Sequence, residues 1–264
     1  MSHIVAVANQ KGGVGKTTTT LNLAASLAAA GQRVLLVDVD PQANLTSGVG
    51  LKGQAAAGGT VYHALTQASP VLDASPFILS TKTPRLSIVP ADRNLTGAEI
   101  EMVALDRREE RLRLLLQSVH ADFDYVFIDS PPSLGLLTLN ALVAANAVLI
   151  PLHCEYYALE GLADLWGTIR RVRSALNPAL DIEGVLFTMF DERTNLSQQV
   201  AAEVRAFFKD KVYRTTIPRN VRLGEAPSHG LPVIEYDPKS RGSEAYVALA
   251  REVLERAPRT PAVH

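Results

Sequence analysis

Six apolar stretches of strand length recur along the chain, at residues 4–8, 34–39, 86–90, 125–129, 147–152 and 182–190, separated by longer runs with helical spacing. None of the six alternates apolar with polar positions, as expected of strands covered on both faces. The runs between and after them predict helices over 17–30, 94–119, 135–146, 159–176, 196–208 and 243–256, with Asn94 and Asn195 placed to cap two of them. Strands alternating with helices in this way predict an α/β fold, a mostly parallel twisted sheet with helices on both faces. Residues 48–59, rich in Gly and Ala and without periodicity, are expected to form a mobile loop near the site.

Composition narrows this picture. A chain of 264 residues, 47% hydrophobic and 20% charged, can bury one large core, and no composition break marks a second domain. A single domain over 1–264 is expected, with a flexible tail at 257–264 and no helix-turn-helix domain ahead of the strand that opens at Ile4. There is no secretory leader pattern and no apolar run of membrane-spanning length, which predicts a cytoplasmic protein. The lone Cys154 makes no internal disulfide and reads as a small buried hydrophobe. The mixed-charge run 106–113 reads as a solvated helix face.

Residues 10–18 change the question from fold to chemistry. They read Gln-Lys-Gly-Gly-Val-Gly-Lys-Thr-Thr and sit between the first strand and the first helix. Glycines let successive backbone N–H groups turn inward on a phosphate, and the helix behind them adds the positive end of its dipole. Lys16 supplies a cation and Thr17 a magnesium-ligating hydroxyl. A Gly-Gly-x-Gly-Lys-Thr string arises by chance on the order of 10⁻⁶ per position. It departs from the usual phosphate loop in one respect: Gln10 stands where a glycine is expected, and a second lysine, Lys11, opens the loop.

Two further strings end strands. Asp38-Val-Asp40-Pro-Gln closes the second, and Tyr-Val-Phe-Ile-Asp129-Ser-Pro-Pro closes the fourth of the six. Ligands of open parallel sheets bind beyond the carboxyl ends of the strands, where a carboxylate can hold magnesium's water shell or orient an attacking water. Asp40 and Asp129 are the candidates for those tasks.

Together these three motifs resemble the deviant Walker A ATPases, specifically the ParA/Soj family that partitions chromosomes and plasmids. Residues 155–161 (Glu-Tyr-Tyr-Ala-Leu-Glu-Gly), 193–196 and 217–230 extend the resemblance over essentially residues 3–256. It implies a P-loop NTPase fold, ATP and Mg2+ as ligands, and an ATP sandwich homodimer in which Lys11 crosses to the partner's nucleotide. It further implies that Gly12, Gly13, Val14, Gly15, Lys16 and Thr18 cradle phosphate and that Thr17 ligates magnesium. Asp40 would position the hydrolytic water near the metal, Asp129 would be the outer-shell metal acid, and Pro218 and Asn220 would lie at adenine. A ParB/Spo0J-type centromere-binding protein is the implied partner, stimulating a weak intrinsic ATPase.

Between residues 193 and 222 seven basic residues face two acids, a local balance of +5 in a chain of net charge −1. A segregated patch of this kind suits sequence-independent binding of double-stranded DNA, through displaced counterions. The resemblance places DNA contacts at Arg193 and Arg222. Arg219 falls in the same stretch, and Lys239 and Arg241 extend it, implying a nucleoid-associated protein. The alternative, a MinD-like membrane-associated positioning ATPase, needs an amphipathic C-terminal helix, and a chain ending Ala-Pro-Arg-Thr-Pro-Ala-Val-His lacks the pattern for one. An iron–sulfur electron carrier needs two cysteines per subunit, and the chain has one.

Overall fold

The computed structural model describes residues 2–119 and 121–257. In chain order it contains β1 (His3–Val7), α1 (Lys16–Ala29), β2 (Val34–Asp38), α2 (Asn44–Gly48), α3 (Val61–Thr66), β3 (Leu79–Ser80) and β4 (Leu86–Val89). Then follow α4 (Leu95–Glu101), α5 (Arg111–Leu116), β5 (Tyr125–Asp129), α6 (Leu136–Ala144), β6 (Ala147–His153), α7 (Ala158–Ala175) and β7 (Asp181–Thr188). The chain closes with α8 (Asn195–Phe208), α9 (Val221–Glu225), α10 (Val233–Tyr236) and α11 (Arg241–Arg256). The tail expected at 257–264 lies outside the described residues beyond Ala257.

The strands form one sheet in the order β3-β4-β2-β5-β1-β6-β7, parallel throughout except for β3, which runs antiparallel to β4. This is the predicted doubly covered sheet, and the two cores show why the strands lack polar alternation. Ile4, Ala6, Leu35, Val37, Val126 and Ile128 join one buried cluster with α4 to α8. Their neighbours Val5, Val7, Val34, Leu36, Tyr125 and Phe127 join the other with α1 and α11. Successive side chains point to opposite faces, so a strand buried on both sides must be apolar at every position. The register sets Val7 and Asp38 on either side of Asp129, so three strand ends meet at the carboxyl edge.

Five expectations need correction. The helix predicted over 94–119 is broken: α4 gives way to a 3-10 turn at Met102–Ala104, Leu105 is extended, and Arg107 takes φ +54° before α5 begins. The break has a cause in Arg111, which is 1% exposed instead of lying on a solvated face. Its guanidinium donates to the carbonyls of Leu65, Gln67, Ala68 and Asp106, bonds that a continuous solvated helix would not permit. Neither predicted cap acts as one: Asn94 makes no capping bond, and Thr194, not Asn195, caps α8 by accepting from Ser197 N.

Residues 48–59 are held by turns, with Leu51 N donating to Thr46 O, Gly58 N to Pro76 O, and a bridge between Ala56 and Gly59. Gly50 also packs against Gly230, where an added Cβ would sit 2.6 Å from the Gly50 Cα. The last strand stops at Thr188 instead of 190, because Met189 turns at φ +49° and Phe190 N donates to Ile217 O.

Candidate nucleotide site

The phosphate loop leaves β1 and re-enters regular structure at Lys16, the first residue of α1. Gly13 and Gly15 hold φ of +73° and +84°, a region in which L side chains are strained, so the loop's shape requires glycine at these points. Thr188 Oγ1, at the end of β7, donates to Val14 O at 2.8 Å and pins the loop to the sheet. Val14 itself is buried and contributes its backbone, while Gly12, Gly13, Gly15, Lys16, Thr17 and Thr18 line a cavity of about 520 Å³.

Lys16 is 8% exposed, and its ammonium donates to Lys11 O at 3.1 Å. Burial pushes its pKa down, opposed by the carboxylates of Asp129 and Asp40. Asp129 is fully buried and accepts from Thr17 Oγ1 at 2.7 Å and Thr20 Oγ1 at 3.2 Å. Burial, then the neighbouring Asp38, raises its pKa to about 8. Asp40, 8% exposed, faces the cavity and accepts from Gln42 N at 2.9 Å.

Asp38 has a different role. It accepts from Thr46 N and Thr46 Oγ1 at 2.9 and 2.7 Å and from Asp40 N at 3.2 Å, so it fixes α2 and the turn that carries Asp40. Burial lifts its pKa to about 6. Two carboxylates, Asp40 and Asp129, and the Thr17 hydroxyl therefore lie near a single buried ammonium. Such a set of hard oxygen donors fits a small divalent cation, with Thr17, Asp40 and Asp129 the residues able to hold it.

The opposite wall of the cavity includes Pro218, Arg219 and Asn220. Asn220 accepts from Arg222 N and so caps α9, leaving its amide nitrogen uncommitted. Arg219, expected on a DNA-facing patch, thus lines the nucleotide cavity. Lys11 does not line it: its ammonium pairs with Glu155, and Glu155 also pairs with His153 Nδ1 at 2.7 Å. The Lys11 contact holds the Glu155 carboxyl below its usual range. Sequence reading missed Glu155 and Thr188 as parts of this site, since each meets the loop from a distant strand end.

The basic segment does not form one patch. Lys211 pairs with Asp181 at the amino end of β7, the edge opposite the phosphate loop, and Arg214 pairs with Glu252 and Glu255 on α11. Arg193 and Arg222 remain toward the carboxyl edge, paired with Asp191 and with Glu225 and Asp237 respectively. Lys239 and Arg241 are exposed just beyond Asp237, at the start of α11.

A family model described as an AAA domain matches residues 2–182. The chain is 55% identical over 262 residues to the chromosome partitioning protein ParA of Myxococcus xanthus, covering 99% of this chain and 91% of that one. It is 56% identical over 253 residues to the sporulation initiation inhibitor protein Soj of Bacillus subtilis, covering 96% and 98%. Among solved structures, cobyrinic acid a,c-diamide synthase of Mycobacterium smegmatis with bound ADP and magnesium is similar at a TM-score of 0.81 and 36% identity, over 97% and 95% of the two chains. MinD of Pyrococcus horikoshii with Mg-ADP, at 0.77 and 24%, shares the fold. With a glycine-shaped phosphate loop and Asp40 lining one cavity, Asp129 bonded to Thr17 of that loop, and relatives of this identity over nearly its whole length, the chain belongs to the ParA/Soj family of chromosome-partitioning ATPases.

Proposed function

We propose that the protein hydrolyses ATP with Mg2+ and couples the nucleotide state to self-association and DNA binding. The observation that carries this reading is the meeting of Lys16, Thr17, Asp40 and Asp129 at one end of a glycine-shaped cavity. Relatives are described as chromosome-partitioning ATPases, and a structural neighbour at 36% identity holds ADP and magnesium.

Each residue has a task set by its chemistry. The Lys16 ammonium, desolvated and rigidly placed, offsets negative charge on phosphate oxygens more strongly than it could in water. Thr17 Oγ1 and Asp129 form the metal side of the site, and Mg2+ when bound supplies a positive charge that neutralises charge building on those oxygens. Asp40 accepts a hydrogen bond from a water and orients it. Lys11 is held by Glu155 on the rim, so within one subunit it is turned away from the loop. A second subunit closing over the cavity offers it an anionic alternative, which makes Lys11 the link between nucleotide and homodimer. Arg193 and Arg222, with Lys239 and Arg241, would present paired DNA-binding faces once two copies meet, since doubling phosphate contacts steepens affinity. DNA binding in the ATP state puts the protein on the nucleoid, in the cytoplasm, and a ParB-type partner triggering turnover releases it and completes the cycle.

The direct test is ATP turnover. The wild-type chain should release phosphate slowly. Lys16→Ala should lose nucleotide binding, while Asp40→Ala should keep binding and lose turnover. Turnover undiminished in Asp40→Ala would overturn the assignment.

A further inference from the structure

A second concave surface lies away from the nucleotide cavity, between α7 and α8 beside the edge strand β7. It has a volume of about 430 Å³, within the ~300–1,000 Å³ range of ligand pockets. Its floor comes from Leu162 and Trp166 of α7 and from Val204 and Phe208 of α8, with Phe207 at the rim. Phe207 is 64% exposed, although its ring meets Trp166 and Phe208 edge-on at 6.3 and 4.8 Å. Unlike the other exposed apolar side chains, Phe207 stands over a concave aromatic floor, and an open apolar concavity of this kind marks an interaction surface.

The charges around it are ordered. Glu203 stands in the wall, with only Gln199 Nε2 near it at 3.4 Å. One turn beyond Trp166 the adjoining surface of α7 presents Arg170 and Arg171, and then Arg173. Among the described residues Arg170 and Arg171 have no carboxylate partner, and Arg173 reaches Asp181 only at 3.8 Å. The apolar floor offers nothing to a phosphate surface, and Glu203 repels one. A segment with apolar anchors and an acidic end satisfies both the floor and the arginines.

We infer that the α7/α8 groove is a docking site for an acidic amphipathic helix of a partner protein, its apolar face on Trp166 and Phe207 and its acidic end on Arg170 and Arg171. The i, i+3, i+4 spacing of helical anchors matches a groove formed by two neighbouring helices. The inference is independent of nucleotide, because no residue of the groove belongs to the ATP site.

Trp166 is the only tryptophan in the chain, so its fluorescence reports this groove alone. The full-length protein, without nucleotide, is titrated with a designed helical peptide of about 16 residues carrying leucine at i, i+3, i+4 and i+7 and glutamates at one end. The same peptide with lysines in place of the glutamates is the comparison. The acidic peptide should shift Trp166 emission to the blue and saturate, and the lysine peptide should bind at least about tenfold more weakly. Phe207→Glu and the double change Arg170→Glu, Arg171→Glu should each weaken the acidic peptide by a similar factor. Both alter exposed side chains, and circular dichroism verifies their folding. Equal binding of the two peptides, the absence of a saturable shift, or a shift produced instead by duplex DNA or by phosphatidylserine vesicles would each overturn the inference.

Discussion

Replacing Arg111 by methionine tests how the break between α4 and α5 is held. The change keeps most of the side-chain volume and removes every donor. The guanidinium donates to Leu65 O at 3.2 Å, Ala68 O at 3.3 Å and Asp106 O at 3.1 Å, and also to Gln67 O, tying the end of α3 to the loop before α5. The bond to Leu65 O is fully buried and the others partly so. A buried acceptor left unpaired costs about 1–3 kcal/mol, and each rehydrated one costs less. The desolvation of the arginine, recovered on its removal, offsets part of this. The net expectation is a loss of about 2–4 kcal/mol. With a urea m value near 3 kcal/mol/M for a domain of this size, the midpoint should fall by about 1 M. Circular dichroism during urea titration measures it. Arg111→Lys should recover a minor part, since one ammonium cannot reach four carbonyls in a planar fork. A midpoint within about 0.2 M of wild type for Arg111→Met would refute the reasoning.

Two further outcomes follow from particular environments. Arg222→Glu should abolish duplex DNA binding at moderate salt while leaving ATP binding intact, because Asn220 still receives the Arg222 backbone N–H at the cavity wall. A mutant that still shifts DNA in the presence of ATP would contradict the placement of the DNA face. Burial pushes the Cys154 thiol up to about 11, so at pH 8 its thiolate fraction is on the order of 10⁻³, against about a quarter for a free thiol. Alkylation of the native protein should therefore be at least about 100-fold slower than after denaturation. Its rate should keep rising about tenfold per pH unit beyond pH 9 instead of levelling off.

Much of this was legible in the chain because its strands are buried on both faces, so their apolar runs stand out even at single-residue resolution. The phosphate loop was legible for a related reason: positive φ at Gly13 and Gly15 restricts the residue type, and the sequence carries that restriction openly. What stayed hidden depends on contacts between distant segments. Thr188 meets Val14 across 174 residues, and Glu155 meets Lys11 across 144, with no local pattern to announce either. Arg111 reads as one more surface charge until the carbonyls of α3 are seen around it. The count of basic residues between 193 and 222 misled for the same reason: a linear balance of charge ignores that Lys211 lies at the far edge beside Asp181 and that Arg214 is paired with Glu252 and Glu255 of α11.

The central claim is that ATP occupancy and pairing of two chains are one event, with Lys11 as the link. Molar mass by light scattering, measured with ADP and with ATP on the Asp40→Ala protein and on the same protein carrying Lys11→Ala, tests it most directly. The account predicts a monomer with ADP, a dimer with ATP, and a monomer under both conditions once Lys11 is removed. A monomer under all conditions, or a dimer that persists with ADP or without Lys11, would contradict it.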